Sequence, residues 1–279
     1  MTHDDFLKIE KQFYAYTRPF VDRAEDPYPF VLKQEHTARV CRAMEMLCQS
    51  LDLDGPKTAR ACAAAMVHDM GRFPQFAVFH TYSDTRSKNH AALGCREIVR
   101  SNILSHLSVT DRQLILRAVA LHNRPRLSAT LGRDLNLLAR LLRDADKIDI
   151  FNVMKDHYLN PDSRHGFITY DLHDDGKIPR AAAQALLETR QNDLGYVDTL
   201  NNMRVFQAGM VYDLNFPAAA AAILDLEVIP VLLDGIPPSD LITRLAQALL
   251  DHLQSLASSK HGKHGNKFDY LSTLAVTQK

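Results

Sequence analysis

The sequence has little cysteine and no excess of charge of either sign. Its four cysteines, Cys41, Cys48, Cys62 and Cys95, form no C-x-x-C pair. In a chain of 279 residues they predict reduced thiols in the core of a cytoplasmic protein. Lysine plus arginine and aspartate plus glutamate number 33 each. Because these formal charges cancel, no overall field favours nucleic acid or an anionic membrane as a partner.

Long apolar runs are also missing. No uninterrupted apolar stretch of the sequence is long enough to span a bilayer. The first sixteen residues, MTHDDFLKIEKQFYAY, are acidic and lack the apolar region of a secretory signal. We therefore expect a cytoplasmic protein with no membrane partner and no clear nucleic-acid surface.

Helical periodicity, in contrast, extends along most of the chain and predicts an all-α helical bundle. Helices are predicted near 30–51, 56–69, 134–158, 180–194, 198–212, 217–227 and 239–257, with two more beginning near 87 and 110. We expect one helical domain over 1–279, with a functional core at about 30–155. The helices over 180–257 are expected to complete the bundle, and they are also the candidate face of a homodimer.

Three shorter features interrupt or delimit this pattern. Residues 72–87 have no clean period and predict a loop, rich in aromatic residues, that could cover a site. Residues 166–178 alternate in polarity and contain turn residues, which allows one short β-hairpin. Thr110 and Gln113 have the spacing of a capping box for the helix that follows them.

Thirteen histidines are more than a chain of this size usually carries, and several occupy positions where a helix would place an apolar residue. The stretch AAAMVHDMGRFPQF is one example, because its apolar helix ends in a histidine followed by an aspartate. Six such residues stand out: His36, His68, Asp69, His90, His122 and Asp146. At least four of them are expected to project from the apolar face of a helix.

Burying one polar group without a partner costs roughly 1–3 kcal/mol. Six such groups scattered separately through one core are therefore less economical than six that converge and share a partner. Neutral imidazoles and carboxylates together suit a divalent transition metal ion such as Mn, Fe, Co, Ni or Zn, and Mg is also compatible with carboxylates. The ligand positions lie tens of residues apart, as expected for a site inside a helical bundle.

The spacing of these residues resembles the H…HD…D motif of the HD superfamily of metal-dependent phosphohydrolases. The motif would consist of His36, the pair His68-Asp69, and Asp146 in the stretch RDADKID. KNHAALGCREI, with His90, and VALHNRP, with His122, resemble segments that supply ligands for a second metal in two-metal members. No GYP segment is present, so the resemblance does not extend to the cyclic-dinucleotide hydrolases of the HD-GYP type.

The resemblance implies one or two divalent metal ions as cofactors. One ion would be held by His36, His68, Asp69 and Asp146. A second ion would be held by His90 and His122, with Asp69 bridging the two ions. The implied substrate is a small phosphoester, a nucleotide or a related molecule, attacked by a metal-activated hydroxide. Lys147 and Arg72 are the cations expected to neutralise phosphate oxygens, and together with Asp69 they form the expected catalytic set.

Two other functions use similar residues. Some oxygenases of the same superfamily, such as the inositol oxygenase type, activate dioxygen at a di-iron site with four histidines and two aspartates. A non-catalytic module could instead keep the site for ligand sensing or for a structural metal ion. The ligand types alone do not distinguish these alternatives from hydrolysis.

Overall fold

The structure is a computed structural model that describes residues 1–160, Thr169 and residues 172–259. Over these residues the chain forms α-helices and no strand, which confirms the predicted all-α class. The helices are α1 (His3–Arg23), α2 (Tyr28–Ser50), α3 (Gly55–Val67), α4 (Arg72–Phe79), α5 (His90–Ser101), α6 (Val109–Leu121), α7 (Arg133–Leu159), α8 (Arg180–Thr189), α9 (Leu200–Gly209), α10 (Pro217–Asp225), α11 (Val228–Asp234) and α12 (Asp240–Ala257). Two short 3-10 helices, Leu194–Tyr196 and Met210–Asp213, flank α9.

The alanine-rich helix α3 lies at the centre of the N-terminal half. It contacts α1, α2, α6 and α7, and every residue from Ala61 to Val67 is buried. A helix that is apolar on all sides is stable only when other helices surround it, and small alanine side chains let those helices approach closely. Asp54 caps its first turn by accepting a hydrogen bond of 2.9 Å from the Lys57 amide. The central position of α3 brings its C-terminal end, at His68, into the middle of the bundle.

The C-terminal helices pack against α7 and against one another. α10 and α11 contact α7, while α12 packs against α8, α10 and α11. One continuous cluster of buried apolar side chains contains members of all the helices, from Phe6 in α1 to Leu253 in α12. The single-domain organisation over 1–279 stays a prediction, since this cluster concerns the described residues.

The structure differs from the prediction in the loop at 72–87 and at the start of the helix near residue 110. Residues 72–79 form helix α4 rather than a loop, because Phe73 and Gln75 are buried and eight residues are too few to show a clear period. Helix α6 is capped by Ser108, which accepts from the Asp111 amide at 3.1 Å, so the predicted capping box of Thr110 and Gln113 is wrong.

Further differences occur in the C-terminal part. The predicted hairpin at 166–178 lies partly outside the described residues, and Thr169 and residues 172–178 form no strand. Helix α8 ends at Thr189, earlier than predicted, because Arg190 adopts a left-handed conformation. Helix α11 was not predicted, since Pro230 suggested a break, but this proline occupies the first turn, where it is tolerated.

No helix in the described part of the chain is both long enough and apolar enough to cross a bilayer. Cys41, Cys48 and Cys62 are buried and burial raises the pKa of each thiol. The positions of these three agree with the expected core thiols, whereas Cys95 is half-buried.

Two glycines allow the turn after α3 to approach the start of α5. A side chain at Gly71 would overlap the carbonyl oxygen of His90 and the amide of Gly94. A Cβ atom at Gly94 would lie 3.4 Å from the carbonyl oxygen of His68. The backbone of the His68-Asp69 turn therefore packs directly on the backbone that carries His90, which only glycine permits at position 71.

We predict that Gly71→Ala destabilises the protein by about 1–3 kcal/mol or more, because the added methyl group forces two backbone segments apart. Gly55→Ala is the matched control, since a Cβ atom at Gly55 meets nothing within 4 Å. Chemical denaturation of both variants measures the difference. Equal stability of the two variants would contradict the close approach.

Candidate metal centre

The six residues singled out in the sequence gather at one place in the bundle. His36 lies within α2 and Asp146 within α7, whereas His68 directly follows α3, His90 begins α5 and His122 directly follows α6. Asp69 lies in the turn after α3. His68 and His122 keep right-handed helical backbone angles, so the burial of the four histidines agrees with the expectation that at least four of the residues project from helices toward the core. All four histidines and Asp69 are buried.

The two histidines nearest Asp146 turn their Nε2 atoms inward. His36 Nδ1 is 2.7 Å from Asp149 Oδ2, and Arg39 holds the same carboxylate through its Nε atom at 2.5 Å. His68 Nδ1 donates to the carbonyl oxygen of Ala65 at 2.7 Å. In the described part of the chain, Nε2 of His36 and Nε2 of His68 are buried and make no hydrogen bond.

The other two histidines are held in the same way. His90 Nδ1 is 2.7 Å from Asp84 Oδ2, and His122 Nδ1 donates to the carbonyl oxygen of Val119 at 2.6 Å. Second partners of this kind fix the tautomer and orientation of metal-binding histidines. All four imidazoles therefore present Nε2 to the same interior space.

The carboxylate of Asp69 lies at the centre of these rings. Its Oδ2 atom is 3.5 Å from His36 Nε2 and 3.7 Å from His68 Nε2. Its Oδ1 atom is 3.7 Å from His90 Nε2 and 4.0 Å from His122 Nε2. Each oxygen of one carboxylate thus faces a different pair of histidines, which is the arrangement needed to bridge two ions.

Asp146 belongs to the first pair. Its Oδ1 atom lies 3.2 Å from His36 Nε2 and 3.7 Å from His68 Nε2. Burial opposes ionisation, but His36 and His68 hold the pKa of Asp146 well below its usual value. The neighbouring Asp144 points elsewhere and accepts from the backbone amides of Asn215 and Phe216. Of the aspartates in RDADKID, Asp146 alone is placed among the imidazole Nε2 atoms.

The donor set fits metal ions. Two groups of donor atoms lie within 4.8 Å of one another, His36 with His68 and Asp69, and Asp69 with His90 and His122. Burial and the nearby His90 and His68 lower the pKa of His122 to about 3, so this imidazole is neutral. Because its Nδ1 carries the proton given to Val119, its Nε2 atom has a free lone pair.

The Nε2 atom of His90 also has a free lone pair, and it faces the Nε2 atom of His122. Burial would raise the pKa of Asp84, but His90 and Arg72 lower it to about 2, so this carboxylate is ionised and accepts a hydrogen bond from the Nδ1–H group of His90. The Nε2 atoms of His90 and His122 lie only 2.9 Å apart. Both Nε2 atoms belong, with Asp69, to one group of donors that could hold a metal ion. A cation between them would remove the repulsion of the two lone pairs.

The two predicted cations both line the site but are bound to other groups. Arg72 donates through Nη1 to the side-chain oxygen of Gln75 at 2.9 Å and to the Tyr82 carbonyl oxygen at 2.5 Å, and its Nε atom lies 3.6 Å from Asp69 Oδ1. Lys147 Nζ is 2.5 Å from Asp213. Their role as phosphate ligands stays a prediction.

Several residues of the site were not predicted from the sequence. Lys33 Nζ lies 2.8 Å from Asp69 Oδ2 and 5.4 Å from the centre of the Tyr82 ring. Burial raises the pKa of Asp69, but Lys33, His68 and Arg72 outweigh it and lower that pKa well below the usual value. The three-residue step from Lys33 to His36 places both on one face of α2, which is a signal that the sequence contains. Asp84 carries no such signal, because it lies outside any helix.

A cavity of about 750 Å³ opens onto the centre. Asp69, His90, His122 and Asp146 form part of its wall. Cations line it as well: Lys33, Arg72, Arg124, Arg126, Arg143, Lys147 and Arg190. Its aspartates are fewer: Asp69, Asp146, Asp193 and Asp213. The cavity therefore has a surplus of positive charge in a chain whose total formal charge is zero.

These features define an all-helical protein with a buried cluster of histidines and aspartates that can hold a metal ion. Residues 34–150 match the family model of the HD domain, a segment that contains all six of these residues. This match covers less than half of the chain and is consistent with the HD-domain superfamily, most members of which are metal-dependent hydrolases. No curated protein and no solved structure matches the chain.

We predict that the purified protein binds two divalent ions and that His122→Ala retains one of them, because only one donor group contains His122. Asp69→Ala should lose both, since Asp69 belongs to both groups. Mass spectrometry of metal content after dialysis measures the stoichiometry, with the exposed Asp251→Ala as control. Retention of two ions by Asp69→Ala would contradict a shared carboxylate.

The residues behind the histidines should also affect the two ions separately. Asp84→Asn is expected to weaken the ion at His90 and His122 by about 10–100-fold, and Asp149→Asn to weaken the ion at His36 by a similar factor. Each variant is the control for the other. Competition with a fluorescent chelator measures both affinities, and equal effects of both variants on both ions would rule out separate sites.

Proposed function

We propose that this protein is a metal-dependent phosphohydrolase that hydrolyses a phosphoester bond in a nucleotide or a related small molecule. The observation that carries the proposal is the Asp69 carboxylate, whose two oxygens face separate pairs of histidines at the base of a cavity with surplus positive charge. This combination provides both metal ligands and a binding place for an anion.

The residues would act in defined roles. His36, His68, Asp69 and Asp146 would hold one ion, and Asp69, His90 and His122 would hold the other. When bound, such ions lower the pKa of a water molecule and draw charge from phosphoryl oxygens. Lys33 and Arg72 keep Asp69 ionised, so it is available as a bridging ligand at neutral pH.

The cations near the centre would orient the substrate. Lys33 is only 15% exposed and lies beside Asp69, where it can reach an oxygen of a phosphoryl group bound next to the ions. Arg72 and Lys147 line the same wall. Because the side chains of Lys33, Arg72 and Lys147 are largely shielded from water, their charge interactions are strengthened, and these groups would favour the transition state, in which negative charge develops on the phosphoryl oxygens.

An HD-type di-iron oxygenase is the alternative that uses the same donor types. Dioxygen is uncharged, and its activation does not require a cavity with more cations than carboxylates. The charge of the cavity therefore supports the hydrolase over the oxygenase. A non-catalytic metal or ligand module is the remaining alternative. The complete set of metal donors supports it less well, because a module without activity would not need all of them.

The test is a panel of phosphoesters offered to protein loaded in turn with Mn, Fe, Co, Ni, Zn and Mg. We expect hydrolysis that stops with a chelator and falls by about 10³-fold or more in His68→Ala and Asp69→Ala, because loss of an ion removes several kcal/mol of transition-state stabilisation. His106→Ala is the matched control, since this exposed histidine lies outside the cavity.

The outcomes separate the three functions. Absence of hydrolysis with every metal and every substrate would reject the proposal. A mixed-valence iron signal in electron paramagnetic resonance, with oxygen-dependent turnover, would favour the oxygenase. Ligand binding without any turnover would favour the non-catalytic module. Circular dichroism of each variant shows whether the fold is intact.

A further inference from the structure

The cavity over the metal centre is closed by a part of the chain outside the matched segment 34–150. Residues 190–194 and several residues from Phe206 to Asp213 line it. The donors for the metal ions thus come from one part of the sequence and the facing wall from another. A wall of this kind determines which molecules fit, because the ions bind only the group that reacts.

Three arginines of the cavity, which we call the arginine rim, are available for a ligand: Arg124, Arg126 and Arg190. Lys33 lies against Asp69, whereas Lys147 and Arg143 pair with Asp213. No carboxylate among the described residues forms an ion pair with a member of the rim. All three rim residues are exposed at the protein surface, where a guanidinium can bind a phosphate with two parallel hydrogen bonds.

Local contacts hold the rim in place. Arg126 donates to the side-chain oxygen of Gln191, which joins the turn after α6 to the turn after α8. The Gln191 amide donates to Thr189 Oγ at 3.2 Å. A side chain at Gly209 would overlap Asn192, so this segment packs directly on the backbone of α9. The rim is therefore built on fixed segments from two distant parts of the chain.

Arg190 also has an unfavourable backbone conformation. Its φ angle is 53°, in the left-handed region where glycine or asparagine usually ends a helix. The left-handed conformation is energetically unfavourable for arginine, which has a Cβ atom, and not for glycine. Strained residues are frequent at functional sites, and this one lies on the cavity wall.

We propose that the arginine rim binds a second anionic group of the substrate, so that the substrate is a phosphoester with at least two separate anionic groups. One group reacts at the metal centre, and the other fixes the far end of the molecule. Phe206, Met210 and Ile150 line the same cavity and would contact an apolar or aromatic body joining the two groups. This inference rests on the proposed function, which supplies the reacting phosphoester.

The experiment compares two kinds of non-hydrolysable probe on the metal-loaded full chain. One is a series of alkane-α,ω-bisphosphonates of increasing length, and the other is the series of alkylphosphonates with the same chains. Isothermal titration calorimetry measures both. We expect the best bisphosphonate to bind roughly tenfold more tightly than its monophosphonate, as one additional charge-assisted contact provides.

The rim variants assign this preference to named residues. Arg190→Gly and the double variant Arg126→Ala/Arg190→Gly should reduce the ratio to about one to two, while monophosphonate affinity stays within about twofold. Arg190→Gly relieves the left-handed conformation, so its melting temperature should not fall. Glu227→Gly, at a left-handed position outside the cavity (φ 50°), and the exposed Arg117→Ala are the matched controls.

The result distinguishes this inference from the proposed function. A preference that is absent in the wild type, or unchanged in both rim variants, would overturn the inference even if phosphoesters are hydrolysed. A rim-dependent preference in a protein that hydrolyses no phosphoester would support binding of two anionic groups and reject the hydrolase instead. Hydrolysis together with the rim-dependent preference supports both.

Discussion

The central constraint of this structure is the concentration of lone pairs around the buried carboxylate of Asp69. Four imidazole Nε2 atoms point to it, and two of them lie 2.9 Å apart. Without positive charge such an arrangement is repulsive, because buried acceptors face acceptors. Lys33 and Arg72 supply part of that charge from one side. The remaining acceptor atoms are directed at the interior space, where a divalent ion would satisfy several of them together.

Helix ends explain how the fold achieves this concentration. The last carbonyl groups of a helix have no partner within the helix. His68 and His122 each follow a helix directly and donate Nδ1–H to the carbonyl oxygen three residues earlier, in Ala65 and Val119. This hydrogen bond engages a carbonyl group near the helix end, fixes the tautomer and turns Nε2 toward the centre. A histidine within a helix cannot use its own helix in this way, and His36 depends on Asp149 instead.

The sequence was sufficient for some levels of this structure and insufficient for others. The all-α class followed from periodicity, and the six convergent residues followed from their types and spacing. The end of α3 at His68 was predicted from the stretch AAAMVHDMGRFPQF, whereas the positions of His90 and His122 at helix ends were not, since a histidine at a helix end has the same periodicity as one inside the helix. Asp84 and Arg190 were not predicted, because their roles depend on contacts between distant segments that no local pattern records.

Arg143 links the two parts of the cavity wall, the turn that carries His122 and the segment that contains Asp213. It is 4% exposed and donates to the carbonyl oxygens of His122, at 3.1 Å, and of Arg124. It also pairs with Asp213 at 2.5 Å. One buried guanidinium therefore joins the turn that carries His122 to the wall beyond the matched segment. Because its donors serve both sides together, a displacement of that wall would be transmitted to the backbone of His122. The segment that we propose to contact the substrate therefore also helps to position this histidine.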